Sequence, residues 1–401
     1  MAVTGFTLIS IQRTDRLLQG NMLHTAQAKW SARAGVELGL VLTEQVSDWR
    51  QRVVNNELIT DFAVGDGEVS VRMFDDGDGN LTNSAIDAVR LLSVGSFEGA
   101  ECRLQAQLKA RPHAALRYAL FASGSDDLKF SGIASCRGPV RAHGNITAAM
   151  SNVVRDDASF ETMTGYTIND PLTPKSYVST AIAPPTPDLS YYLALATVIT
   201  AAPGGACELK GHNLTPTSNP SGTPNPNGIY ALNAEGREVV ITDLHVKGTL
   251  IVYNTGHAVT LSGGCWFEPG PLNYPVLLID TPQNEVYLSP TQAKLDESKI
   301  GLYVNILGVE VFIGSGVDYN EDGDCGDKFD TQINGVVWTN ATRVRLDGFG
   351  WPFIGCLIAS RIEVEHEGPV DNDLRLLDTL TPGFIESGMK VASMSYTEVA
   401  P

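Results

Sequence analysis

Oxygen-bearing side chains crowd into one stretch of the chain, DYNEDGDCGDKFD. It places Asp318, Asn320, Asp322 and Asp324 at alternate positions, Gly323 among them, and Asp327 and Asp330 beyond. Oxygens at every second residue of a tightly turning backbone suit a hard divalent cation, which takes about six to eight such ligands, and the spacing matches the first half of a calcium loop. The position that should supply the loop's bidentate glutamate is Phe329, so Asp327 or Asp330 has to substitute. Asp75, Asp76, Asp78 and Asn80 form a second loop of this kind. Calcium is the cofactor both loops point to, and a solvated acidic turn is the plain alternative.

Signatures of catalysis are missing. The seven histidines (His24, His113, His143, His212, His245, His257, His366) have no HExxH or other ligand spacing, and no GxSxG or P-loop occurs. Asp347, Glu363, Glu365 and His366 could form a carboxylate cluster on adjacent turns of a repeated fold, as a polysaccharide-cleaving enzyme needs. Carboxylates at such turns are usually solvated faces, and the chain reads as a non-enzyme. Trp266, Tyr274, Trp338, Phe349, Trp351 and Phe353 read as stacked core or edge aromatics, with a sugar-binding platform as the other reading.

These residues sit on a returning pattern of apolar strand, turn, second strand and glycine. Copies are LFASGSDDLKFSG from Leu120, LIVYNTGHAVTLSG from Leu250, LLIDTPQNEVYLS from Leu277, VVWTNATRVRLDG from Val336 and LIASRIEVEHEG from Leu357. The second strands align on Leu128, Val259, Val286, Val344 and Ile362. One copy buries too little to be stable, whereas stacked copies share a continuous core. The runs LIVY, VLLI, VVW and CLI are continuously apolar, as expected of strands covered on both faces. This favours a β-solenoid over an antiparallel sandwich, which also has short strands at regular spacing.

The 46 acidic against 28 basic residues give a formal charge of −18, which disfavours nucleic acid and anionic membranes as partners. No run of 18 apolar residues is present to span a membrane. Low charge density with 39 glycines and 21 prolines suits an extracellular all-β protein. Cys102, Cys136, Cys207, Cys265, Cys325 and Cys356 include no CxxC pair, which argues against zinc. They read either as disulfides of an exported chain or as buried thiols.

Every proline lies at or after Pro112, marking a boundary. Before it, residues 1–57 form a long helix: Leu23, Ala26, Trp30, Ala34, Leu38, Val41, Leu42, Val46, Trp49 and Val53 recur at spacings of three and four. Gly20, Gly35 and Gly39 are weak points in it, each costing about 1 kcal/mol against alanine. Residues 58–111 read as a small antiparallel sheet with strands near 58–63, 68–74, 89–94 and 101–109. Residues 112–368 read as the solenoid, with a loop-rich insert near 152–227 that includes a short helix capped by Asp188. Residues 369–401 read as a tail ending in a strand that pairs with a neighbouring subunit or with its own solenoid edge. The opening MAVTGFTLISI reads as the last turns of an apolar helix that begins upstream.

The helix with ARAGVELGL (Ala32 to Leu40) and DWR (Asp48 to Arg50), followed by GEVSVRMFDDGDGNLTN (Gly67 to Asn83), resembles the pilin-like proteins of the type IV pilus and type II secretion class. NPNGIYALNAEGREVVITDLHVKGTLIV (Asn225 to Val252) and LNYPVLLID (Leu272 to Asp280) narrow the resemblance. They resemble bacterial exported proteins that join a minor-pilin-like head to a β-solenoid. GFTLIS (Gly5 to Ser10) is similar to a prepilin cleavage motif, but Ser10 stands where the family has glutamate. The resemblance implies a bacterial cell-surface or extracellular subunit that self-associates into a homo-oligomer or filament. Leu23, Trp30, Ala34, Leu38, Val41, Leu42 and Trp49 would then pack against helices of neighbouring copies. The alternatives are a solenoid enzyme acting on polysaccharide and a monomeric adhesin that binds surface polysaccharide.

Overall fold

The computed structural model describes residues 2–124, 128–131, 135–148, 153–154, 158–160, 162–165, 175–177, 182–200, 204–291, 294–306, 309–365, 367–378, 380–393 and 395–399. The chain is mainly β with one long N-terminal helix, and it divides into two compact units. One comprises residues 1–111 with 385–401, the other residues 112–384.

In the first unit, helix α1 (Ala2–Gln45) is followed by a short helical turn, Trp49–Arg52. Strands β1 (Leu58–Val64), β2 (Gly67–Phe74), β3 (Val89–Phe97) and β4 (Ala100–Pro112) then form an antiparallel meander. Alternation drives its packing: Val69, Val71 and Met73 of β2 are buried while their neighbours face outward. The helix lies on this sheet through small side chains, with Ala28, Ala32 and Val36 fully buried in the shared core. Gly35 and Gly39 are therefore contact points, where the sequence suggested weak ones. A Cβ at Gly35 would fall 2.1 Å from Ser93 Oγ, and one at Gly39 2.1 Å from Leu91 Cδ1. On the sheet side, a Cβ at Gly95 would fall 2.2 Å from the Ala28 carbonyl oxygen.

The end of the chain returns to this sheet. Ile385–Val391 and Thr397–Val399 both pair with β4, the latter antiparallel with Glu398 opposite Leu104. The strand expected to pair with a neighbour or with the solenoid edge thus pairs within its own head, because β4 offers a free edge. Residues 369–384 belong to the other unit, so the tail read as one segment is divided between the two.

Among the described residues the second unit is built chiefly of three parallel ladders, which fit a solenoid. In the first, Tyr230, Leu250, Leu277, Val337, Leu357, Leu120 and Val140 stand in register, and all are buried. In the second the column is Val239, Val259, Val286, Val344, Ile362, Leu128 and Ile146. The third stacks Val246, Phe267, Ile333, Phe353, Val370 and Cys136. Repeat spacing anticipated Leu128, Val259, Val286, Val344 and Ile362 of the second column and, with Val337 in place of Val336, the matching five of the first; the turns that add Tyr230 with Val239 and Val140 with Ile146 were not seen as copies.

The outer face of the first ladder is also covered. Ile251, Leu278, Trp338, Ile358 and Phe121 pack under Leu116, Tyr192, Leu376 and Phe384, which explains the continuously apolar runs. Tyr192 belongs to the helix Leu189–Leu195, whose Asp188 cap accepts from the Ser190 N–H at 2.9 Å. Strands at Thr197–Ile199, Cys207–Lys210 and Asn213–Leu214 lie inside the stretch expected as a loop-rich insert and form a turn of the stack. Its order is not that of the chain: Leu120–Ala122 pairs on one side with Phe353–Ala359 and on the other with Val140–Ala142. Among the described residues, no helix is long and apolar enough to cross a membrane. Five of the six cysteines are buried and Cys325 is exposed.

Candidate functional site

The acidic loop belongs to an insertion between two turns of the stack, anchored by the pairing of Lys294–Asp296 with Lys328–Asp330. Most of its predicted ligands are occupied in folding the loop. Asp318 Oδ1 accepts from the N–H groups of Glu321 and Asp322, and its Oδ2 from Gly323, at 2.6 to 3.2 Å. Asn320 Nδ2 donates to Asp322 Oδ2 and Asp327 Oδ2, both at 2.9 Å. Asp330 lies on the anchoring strand and pairs with Lys294 at 3.5 Å, apart from any cluster. What converges instead is Asp324 and Asp327 with Glu297, their ligand atoms all within 4.8 Å of one another.

Glu297 is fully buried and held by backbone, accepting from the N–H of Tyr319 at 2.7 Å and of Asp327 at 3.0 Å. Sequence reading missed it because it lies 30 residues from Asp327 and outside the acidic run. Three carboxylates form a hard, all-oxygen donor set, which fits calcium and not a softer metal. In the second loop, Asp76 is held by Arg90 through two bonds of 2.7 Å. The Arg90 guanidinium holds its carboxyl below the usual range. Asp78 and Asn80 accept from the N–H groups two residues on, so this loop uses its side chains for its own turns.

The residues proposed for assembly divide into three groups. Leu23, Trp30 and Val41 are 58%, 67% and 49% exposed, aligned on the side of α1 away from the sheet; Ala34, on the same side, is half-buried. Leu38 and Leu42 border an apolar groove of about 350 Å³ with Val46, Ile59 and Val71. Trp49 is only 3% exposed and belongs to the core of the head, with Arg50 over its ring at 4.8 Å. Trp49 is therefore withdrawn as an interface residue: the helix ends before it, and the following turn points it inward.

Of the carboxylates considered for catalysis, Glu363 and Asp347 are held by contacts within the fold. Glu363, 5% exposed, is surrounded by Lys129, Arg343 and Arg345 and also accepts from Ser131 Oγ at 3.0 Å. Burial pushes its carboxyl up, but hydrogen bonds from Lys129 and Ser131 outweigh this and hold it below the usual range. Asp347 accepts from the Gly348 N–H at 2.6 Å, and His366 lies outside the described residues. Trp266 does not offer a free ring face, being stacked against His245 at 4.0 Å and Phe329 at 4.8 Å.

No protein-family model matches the chain, and no curated protein matches it. Among solved structures, the crystal structure of the competence-associated pilin ComZ from Thermus thermophilus aligns over 94% of this chain and 98% of that chain. The identity is 13% and the TM-score 0.24, too loose an overlay to carry an inference.

Proposed function

We propose that the chain is a structural subunit of a bacterial extracellular filament or cell-surface assembly, in which a pilin-like head joins copies through α1 and presents a solenoid outward. The observation that supports this is the apolar row Leu23, Trp30 and Val41, left exposed on a helix whose opposite side is already taken by the sheet. Burying each of these side chains between copies contributes about 1.5–3 kcal/mol. The double substitution Trp30→Asp with Val41→Asp, read by electron microscopy and sedimentation, should leave dispersed particles that remain folded. Filaments as abundant as in the parent protein would overturn the reading. No catalytic role is assigned.

Calcium is the cofactor in this reading, held by Glu297, Asp324 and Asp327 with water in its remaining positions. By mass action, calcium at about a hundredfold above its dissociation constant raises stability by roughly 2.7 kcal/mol. Differential scanning calorimetry should show this rise in the parent protein and its loss in Asp324→Asn with Asp327→Asn. Identical melting with calcium and with chelator would remove the cofactor.

A further inference from the structure

A cleft of about 370 Å³ opens beside the third ladder, between the Thr215–Thr217 turn, the outward residues His245, Trp266 and Glu268, and the segment Tyr319–Glu321. Its volume lies at the small end of ligand pockets, roughly 300–1,000 Å³. We propose that this cleft binds an uncharged sugar unit. Three observations carry the inference.

One carboxylate is fixed in advance. Glu321 is a non-glycine residue at φ 63°, a left-handed conformation that persists where surrounding contacts enforce it. Its carboxylate accepts from the hydroxyls of Thr215 and Thr217, and its N–H donates to Asp318 Oδ1 at 2.6 Å. Each of its oxygens keeps lone pairs for a further donor.

Two buried polar atoms of the wall residues also make no hydrogen bond. His245 is 2% exposed, and its Nδ1 meets Asn213 Oδ1 at 2.8 Å, while Asn213 Nδ2 donates to the Asp318 carbonyl at 2.8 Å. Asn213 Oδ1 is therefore the acceptor and His245 Nδ1 carries the proton. That leaves Nε2 buried without a hydrogen bond, 3.7 Å from Glu268 Oε1, and Trp266 Nε1 is buried without one as well. A ligand hydroxyl that draws Glu268 or fills the gap beside it supplies what the fold leaves unmet.

The balance of charge then selects the ligand class. Glu268 and Glu321 outnumber Lys247, which stands 3.4 Å from Glu268, so a phosphate or uronate would face two carboxylates. An apolar ligand would strip water from those carboxylates without replacing its hydrogen bonds. Among the described residues, His245, Glu268 and Glu321 do not converge as a metal cluster. A ring of hydroxyls donates to the carboxylates and accepts from Lys247. Its C–H groups meet the Trp266 edge and Pro216.

The test is saturation-transfer NMR of the full chain with glucose, galactose, mannose and N-acetylglucosamine, with galacturonate and inorganic phosphate as anionic probes. It is run on the Trp30→Asp, Val41→Asp protein, so that failure of assembly and failure of binding are read separately. At least one neutral sugar should saturate, and Glu321→Gln and Glu268→Gln should each weaken it about tenfold, or ~1.4 kcal/mol. Lys247→Ala, at an exposed position, should weaken it without altering the melting temperature. The inference falls if no neutral sugar binds, if binding survives all three substitutions, or if galacturonate or phosphate binds more tightly than any neutral sugar.

Discussion

At Glu363, three cations around one buried carboxylate tie part of the stack's stability to acid. Its folded pKa lies below the usual 4.5, so the unfolded chain takes up its proton first as pH falls. The stability Glu363 contributes is then complete above the unfolded value and disappears as pH drops through the lower folded one. The cations left behind are partly exposed and can rehydrate, so losing the charged hydrogen bonds costs about 1.5–3 kcal/mol. Glu363→Gln should therefore melt well below the parent protein at neutral pH, and the gap should narrow in acid, below about pH 4. Calorimetry across that range checks it, and a gap independent of pH would contradict it. The carboxylate itself was legible in the sequence, but its partner Lys129 lies 234 residues away, a separation no local pattern encodes. Glu297 escaped notice for the same reason, since spacing reveals ligands on one loop and not those delivered by folding.

Among the elements, α1 shows how two faces of one helix can be confused. Its large apolar residues dominate the periodic pattern, yet the sheet is met by alanine, valine and glycine, because small side chains let backbones approach closely. Glycine substitutions separate these roles. Alanine is favoured over glycine by about 1 kcal/mol within a helix, and at Gly20 nothing lies within 4 Å of the added Cβ. Gly20→Ala should therefore raise the helix's stability by that amount. Gly95→Ala places its Cβ against the backbone of Ala28 and Ala32, at 2.2 and 2.3 Å, where no rotamer change relieves the clash. Overpacking of this kind costs about 1–3 kcal/mol. Thermal melts should move in opposite directions for the two variants; a neutral Gly95→Ala would mean that the helix does not sit this close.

For the whole molecule, the repeat was readable as columns but not as a sequence of turns. Val259, Val286, Val344 and Ile362 could be aligned because each inward position must be apolar at a nearly fixed step from the previous strand. Nothing in that rule states which end of the stack a copy joins, so the place of Leu128 beyond Ile362 came only from the fold. The same holds for the closing strands of the head: β4 finds Ile385–Val391 after the entire second unit has intervened.

This ordering has a consequence in time. A chain appearing from its N-terminus delivers Leu120–Ala122 and Leu128–Phe130 long before Phe353–Ala359 and Ile362–Val364, the strands against which they stack. The earliest rungs must wait with one edge bare until almost the last residues arrive, and contacts so distant along the chain make folding slow. During that wait the bare edges are open to mispairing. Turns near the middle of the chain, such as Ile229–Asn233 stacked on Thr249–Tyr253, meet partners made within a few tens of residues and have no such wait.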